Sequence, residues 1–301
     1  MNVIETTSLG KRYRRNWALA DCSIAIPSGQ VVALVGPNGA GKTTLLHLLA
    51  GLFPPTTGLA CLLGGFRPGS NAIRDAVALV GQEAPVYRGM SVRDTLRAAR
   101  GLNGLWDQQY AEARLDSLGI SLRSRAGKLS GGQRAQLALT LALARHPSLL
   151  LLDEPLAALD PLARREVLGT LMTAVLEEGV SVVFSSHVLA DLENVSTYLI
   201  AVGRGRVLLA DQLEKLLESH KLLTGPTSEV GVLADQVAVV DATRAGRQAH
   251  VLAQCQNVPA GWDAREVTME ELVLGYLSAS GDRPGPGPSA SSRAQAAEVG
   301  Q

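Results

Sequence analysis

The sequence predicts an α/β fold, and three observations predict it. An apolar strand runs into a glycine-rich loop and then a leucine-rich helix. Strand-like and helical stretches alternate over residues 1–220. The character of the chain then changes, toward a small α+β appendage.

The strand is Gln30-Val31-Val32-Ala33-Leu34-Val35, a nearly uninterrupted apolar run with three valines, which suits a parallel strand buried on both faces. The loop is Gly36-Pro37-Asn38-Gly39-Ala40-Gly41-Lys42-Thr43-Thr44, which fits the phosphate-binding pattern G-x-x-x-x-G-K-[ST]. The stretch 43–52, with leucines at 45, 46, 48, 49 and 52, predicts a buried helix. The chemistry follows from that order. Gly39 and Gly41 let successive N–H groups turn inward where a Cβ would obstruct. Lys42 adds a cation beside the outer phosphates, and Thr43 offers Mg²⁺ a hard oxygen ligand. The helix N-terminus adds its own partial positive charge. The stretch therefore reads as a nucleoside triphosphate site.

Further strands are expected at 77–80, 149–152, 180–184 and 198–202. A helical insert is expected over about 83–145, opened by Ser91-Val92-Arg93-Asp94 as a capping box with Asp94 in place of Glu. The strand Ser148-Leu149-Leu150-Leu151-Leu152 ends in Asp153-Glu154-Pro155. A carboxylate at the C-terminal end of a strand beside a phosphate loop is placed to hold Mg²⁺ through water, which suits Asp153. Glu154 then suits a general base that polarises the attacking water. Ser130-Gly131-Gly132-Gln133 precedes a good helix, so Ser130 reads as an N-cap and its end as a second anion site.

Beyond residue 220, Gly225-Pro226 reads as a break. Two strands are expected at 237–240 and 250–253, joined by a turn containing Gly246. Thr268-Met269-Glu270-Glu271 reads as a capping box that opens a last helix. Residues 221–280 thus form the appendage, and 281–301, rich in Gly, Pro, Ser and Ala, are expected to be disordered.

Bulk properties narrow the function. Lys+Arg 28 balance Asp+Glu 28, which argues against a general nucleic-acid surface. Cysteines 22, 61 and 255 are scattered and odd in number, which fits a reducing cytoplasm better than a disulfide framework. Residues 1–15 lack the apolar core of a signal peptide, and the longest apolar stretch, 137–144, is too short to span a membrane. Any membrane contact is expected to come through a partner.

With Ser130-Gly131-Gly132-Gln133 standing shortly before Leu152-Asp153-Glu154-Pro155, the chain resembles the ATP-binding cassette (ABC) ATPases, a P-loop NTPase family, over residues 1–220. The remaining family motifs occur in order. Gln82 matches the Q-loop glutamine, Ala158-Leu159-Asp160 the D-loop, His187 after Ser185-Ser186 the switch histidine, and Tyr13 the aromatic that stacks on adenine. Trp17 is an alternative stacking partner.

The resemblance implies a head-to-tail pair of cassettes sandwiching two ATP molecules. Residues 36–44 hold the phosphates of one, and Ser130 to Gln133 of the second cassette, with its Asp160, close over them. Lys42, Glu154, His187 and Gln82 would serve catalysis, and Thr43, Asp153 and Gln82 would serve Mg²⁺. It also implies a separate integral membrane permease, which would hold the chain at the inner face of the cell membrane. The stretch 81–94 is similar to the Q-loop region of bacterial ABC-2 type exporters, so export of a drug, antibiotic or lipid-like compound is expected. A non-transport cassette acting in translation or DNA repair is the alternative. Those members carry two cassettes in one chain, or long coiled-coil or zinc inserts, and this chain has neither. An unrelated P-loop kinase would need neither Ser130 nor His187.

Overall fold

The computed structural model describes residues 1–82, 86–157, 159–186, 188–189 and 192–281. Two long strands come first, β1 (Asn2–Tyr13) and β2 (Asn16–Pro27). They are followed by β3 (Val31–Val35), α1 (Lys42–Leu49) and β4 (Thr57–Leu62). β5 (Val77–Val80) leads into three helices, α2 (Val92–Leu102), α3 (Gln108–Ser117) and α4 (Gly131–Leu143). Then come β6 (Leu149–Leu152), α5 (Pro161–Glu178), β7 (Ser181–Ser186), β8 (Tyr198–Gly203) and β9 (Arg206–Gln212). The remainder is α6 (Leu213–Ser219), β10 (His220–Pro226), α7 (Val230–Ala234), β11 (Ala238–Ala245), β12 (Gln248–Gln254), β13 (Asp263–Glu266) and α8 (Met269–Ala279).

Six strands form the central sheet in the order β5-β6-β7-β3-β8-β9, parallel except for the β8–β9 pair. Alternate side chains of one strand feed two cores. Val31, Ala33 and Val35 pack with Leu139 and Leu143 of α4 and Val167 and Leu171 of α5. Val32 and Leu34 pack with Leu45, Leu46, Leu48 and Leu49 of α1 and with the antiparallel sheet β2-β1-β4. Burial on both faces is why β3 and β6 read as plain apolar runs; the edge strand β5, half-buried on one face, also occupies its predicted residues. Helices α2 to α4 enclose a core of their own, with Val92, Leu96, Ala111, Leu115 and Leu137 buried together.

The appendage is an antiparallel sheet in the order β11-β12-β10-β13, with the expected turn at Gly246, where φ is 64°. Its last helix packs into the main core: Met269, Leu272 and Val273 of α8 are buried in the same cluster as Leu199 and Ala201 of β8.

Three local expectations change. Gly225-Pro226 is no break but the end of β10, paired with Ala249 and Gln248. The glycine is there because a Cβ would lie 2.6 Å from the Trp262 ring, which covers that spot. The leucine helix stops at Leu49 with Ala50 as C-cap; Gly51 turns the chain at φ 72°, and Leu52 is left 61% exposed. Ser91 does cap α2 through the Asp94 N–H, yet the shorter Asp94 carboxylate accepts from the Ser91 hydroxyl at 2.6 Å instead of closing a reciprocal box. Thr268 and Glu271 do close one on α8.

Candidate functional site

The loop sits where β3 delivers it, between the C-terminal edge of a parallel sheet and the N-terminus of α1. Two glycines make the close approach possible. Gly36 has φ 151°, and a Cβ there would lie 2.1 Å from the Val202 carbonyl oxygen. Gly41 has φ 111°, and a Cβ would lie 2.5 Å from the Ala18 carbonyl oxygen. Gly41 is also the N-cap of α1, with no side chain hydrogen-bonded across it, so the first turn directs its N–H groups into the loop.

Lys42 is buried, and its Nζ donates to the carbonyls of Gly36 (2.7 Å) and Pro37 (3.3 Å). The Glu154 Oε1 lies 3.7 Å from that ammonium. Burial holds the Lys42 pKa below the ordinary lysine range, and the carboxylates of Glu154 and Asp153 work against that shift.

Around this loop is a cavity of about 190 Å³ lined by Ala18, Asn38, Gly39, Gly41, Lys42, Thr43, Thr44, Gln82 and Glu154. Residues distant in sequence thus meet: the loop, the residue two beyond β5 and the second residue beyond β6. Thr43 and Gln82 are exposed at its mouth.

Asp153 is buried behind Glu154, with 3% exposure. Its Oδ1 accepts from the Ser185 hydroxyl at 2.8 Å, and the same Ser185 Oγ accepts from the Glu154 N–H at 2.9 Å. Ser185 belongs to β7, which pairs Phe184 with Leu152, so the register brings the serine beside the two carboxylates. One buried hydroxyl therefore fixes both. Glu154 itself has φ 51°, a left-handed conformation that costs a non-glycine residue about 1–3 kcal/mol and persists where surroundings impose it. Sequence reasoning missed Ser185 as an organising residue. Its signal was a hydroxyl closing the otherwise apolar run Val182-Val183-Phe184. The oxygen-only donors here, Thr43, Gln82 and Asp153, suit Mg²⁺.

A second cluster lies outside that cavity. Ser130 caps α4 through the Gln133 N–H, and the Gln133 side chain accepts from the Ser130 N–H, both at 3.1 Å. Gly132 sits against α5: a Cβ would lie 2.8 Å from the Ala163 Cβ. Asp160 caps α5, its Oδ1 accepting from Leu162 and Ala163 N–H groups at 3.0 Å. Ser130, Gly131, Gly132, Gln133 and Asp160 thus share one surface, separate from the loop cavity.

Tyr13, 46% exposed, meets Phe53 edge-on at 6.1 Å, with the Lys11 ammonium 5.6 Å from its ring. Trp17, 44% exposed, carries the Arg12 guanidinium at 5.8 Å. Neither ring lines the cavity, though Trp17 adjoins Ala18, which does. His187 and Ala158 lie outside the described residues. Among the described residues no helix is long and apolar enough to cross a membrane.

Residues 19–157 match the family described as ABC transporter. A Bacillus subtilis (strain 168) protein named "Uncharacterized ABC transporter ATP-binding protein YxlF" is 35% identical over 224 residues, 73% of this chain and 74% of that one. The Pectobacterium atrosepticum "Aliphatic sulfonates import ATP-binding protein SsuB" is 40% identical over 202 residues, 66% of this chain and 74% of that one. A solved "ATP binding subunit of ABC transporter" superposes with a TM-score of 0.63 at 27% identity, over 71% of this chain and 91% of that one.

Proposed function

We propose, on the premise that this chain belongs to the ATP-binding proteins of ABC transporters and is an ATPase of that family, that it works as one half of a head-to-tail pair. The cavity that joins Asn38, Gly39 and residues 41–44 with Gln82 and Glu154, with the Ser130 surface lying apart from it, is the observation that carries this reading. Two anion-binding helix ends that do not share a cavity on one chain serve two nucleotides in a two-fold pair.

In this reading Lys42 and the loop N–H groups of residues 36–44 hold the β- and γ-phosphates. Ser130, Gly131, Gly132 and Gln133 of a second cassette, with its Asp160, close over the γ-phosphate. Glu154 orients the attacking water, and His187 stabilises the charge that develops on the γ-phosphate. Gln82 links the cavity to α2–α4. Thr43, Asp153 and Gln82 would hold Mg²⁺, which neutralises charge on the phosphate oxygens when bound. Tyr13 or Trp17 takes the adenine face.

We take 1–220 as the ATP-binding part, 83–145 as its helical subdomain and 221–280 as the appendage. Glu154→Gln tests the core of this reading. Turnover is expected to fall about 10²–10⁴-fold, the contribution of a general base, with an ATP-stabilised dimer on size exclusion. A monomer with undiminished hydrolysis overturns it.

The transport coupled to hydrolysis runs through a separate membrane permease, at the inner face of the membrane. Export is the direction we propose, on the likeness of residues 81–94 to ABC-2 exporters. The import named for SsuB favours the opposite direction. Purification of the tagged chain with its permease decides. An extracytoplasmic substrate-binding protein that stimulates ATP hydrolysis by the complex reverses the direction to import.

A further inference from the structure

The appendage reaches the phosphate loop through a two-residue turn. β8 and β9 form an antiparallel hairpin with Gly203 opposite Arg206, and the residues between them, Arg204 and Gly205, both have positive φ, 46° and 73°. Positive φ at both central residues is the pattern of a type I′ turn, which favours Asn, Asp or Gly. An arginine in its first position works against its own Cβ, and such departures persist where neighbours hold them in place.

Neighbours hold this turn on two sides. The Gly205 N–H donates to the Ala40 carbonyl inside the loop at 3.1 Å, and its carbonyl accepts from the Ala20 N–H at 2.7 Å. A Cβ on Gly205 would lie 2.8 Å from the carbonyl oxygen of Ala18, a residue that lines the cavity. Just before the turn, the Val202 carbonyl stands where a Gly36 Cβ would be. The hairpin therefore backs the loop at both Gly36 and Ala40. On the other side the Arg204 guanidinium donates through Nη2 to the carbonyl of Gly281, the residue after the Ser280 cap of α8. The guanidinium thus stands just beyond the C-terminus of α8, where the helix dipole favours a cation. The helix itself is anchored in the main core by Met269, Leu272 and Val273.

We propose that Arg204 is a positioning residue through which the docked last helix of the appendage sets the grip of the phosphate loop on ATP. The guanidinium pins the turn to the end of α8, and the pinned turn holds Ala40 through Gly205. The proposal rests on the reading that residues 36–44 bind the phosphates.

The test measures the affinity of a fluorescent ATP analogue, melting temperature and amide exchange of residues 36–44 in the full chain. Arg204→Ala is expected to weaken the analogue about fivefold, the low end of measured site-to-site couplings. Exchange across the loop should speed up at unchanged melting temperature, and Arg204→Lys should restore most of the affinity. A chain ending at Ala279 should show the same weakening, and Arg204→Ala should add nothing to it. Additive effects, or a lowered melting temperature with unchanged affinity, overturn the coupling. If the shortened chain does not fold, the Arg204→Ala and Arg204→Lys pair with loop exchange still decides. Lys42→Ala separates the two levels. If it weakens the analogue and Arg204→Ala does not, only the coupling fails; if it leaves affinity unchanged, the phosphate reading fails first.

Discussion

The N-termini of α1 and α4 are the same physical device put to different uses. Each is a glycine-rich helix start with a partial positive charge. That of α1 is capped by Gly41 alone, with no side chain across it, and is backed by a buried lysine and a carboxylate. That of α4 is closed by its own Ser130–Gln133 box, with Ser130 exposed on the surface. An end with open N–H groups and a desolvated lysine gains most when an anion arrives. An end whose box engages only the Ser130 and Gln133 N–H groups is preformed by it and can present its first turn to a ligand held by another chain. The contrast is what the proposed pairing of two cassettes draws on.

The largest effect is expected from disabling one end on each of two chains. Lys42→Ala and Ser130→Arg are each expected to abolish ATP turnover alone. Mixed in equal amounts, they should recover about a quarter of wild-type activity, because half the pairs are mixed and each mixed pair keeps one intact composite site. No recovery, with both proteins folded, would mean that each nucleotide is served by a single chain.

What the sequence made legible follows the same physics. β3 and β6 were readable because each is buried on both faces, and a continuous apolar run leaves no choice of face; β5, at the sheet edge, buries Ala78 and Val80 and half-buries Val77 and Leu79. β1, β2 and β4 were not. In β1, register shifts at Asn2/Ile4, Thr6/Leu9 and Leu9/Lys11 against β2, and at Thr7/Gly10 against β4, break the two-residue period that would mark a half-buried strand, whereas β2 keeps that period at Cys22, Ile24 and Ile26 and was overlooked. In the appendage β11 and β12 showed through. β13, four exposed residues, Asp263–Glu266, carries no apolar pattern, and β10 was hidden by Gly225-Pro226 at its end. The loop and Glu154 could be picked out by type and spacing, since their chemistry is local. Their arrangement could not, because the Ser185 hydroxyl that fixes Asp153 and Glu154 comes from another strand, and only the β6–β7 register brings it there.

Ser185→Ala probes what holds the two carboxylates behind the loop. The substitution leaves a buried carboxylate and the Glu154 N–H without their shared partner, in a residue already held at φ 51°. Turnover is expected to fall about 10–100-fold, the usual effect of losing a group that orients a metal ligand, with a raised Mg²⁺ requirement. Ser185→Cys should not rescue, since a thiol is a weak donor and acceptor. A magnesium titration of ATP hydrolysis reads both. Unchanged turnover would mean that the register alone holds the carboxylates.

The smallest effect is expected at the self-capped end. Ser130→Ala removes the acceptor for the Gln133 N–H but leaves the Gln133 side chain able to accept from the residue 130 N–H, so half the box survives. A lost N-cap hydroxyl costs about 1 kcal/mol, or about 2–4 °C in melting temperature for a domain of this size. Ser130→Thr keeps the hydroxyl and should restore the melting temperature. If α4 only caps itself, ATP turnover will follow melting temperature in both variants. If the Ser130 hydroxyl also meets a partner's phosphate, Ser130→Ala will lower turnover at temperatures where the fold is intact, and nucleotide affinity of the isolated monomer will stay unchanged. That split between monomer binding and pair turnover is the quantity that separates a helix cap from half of a shared site.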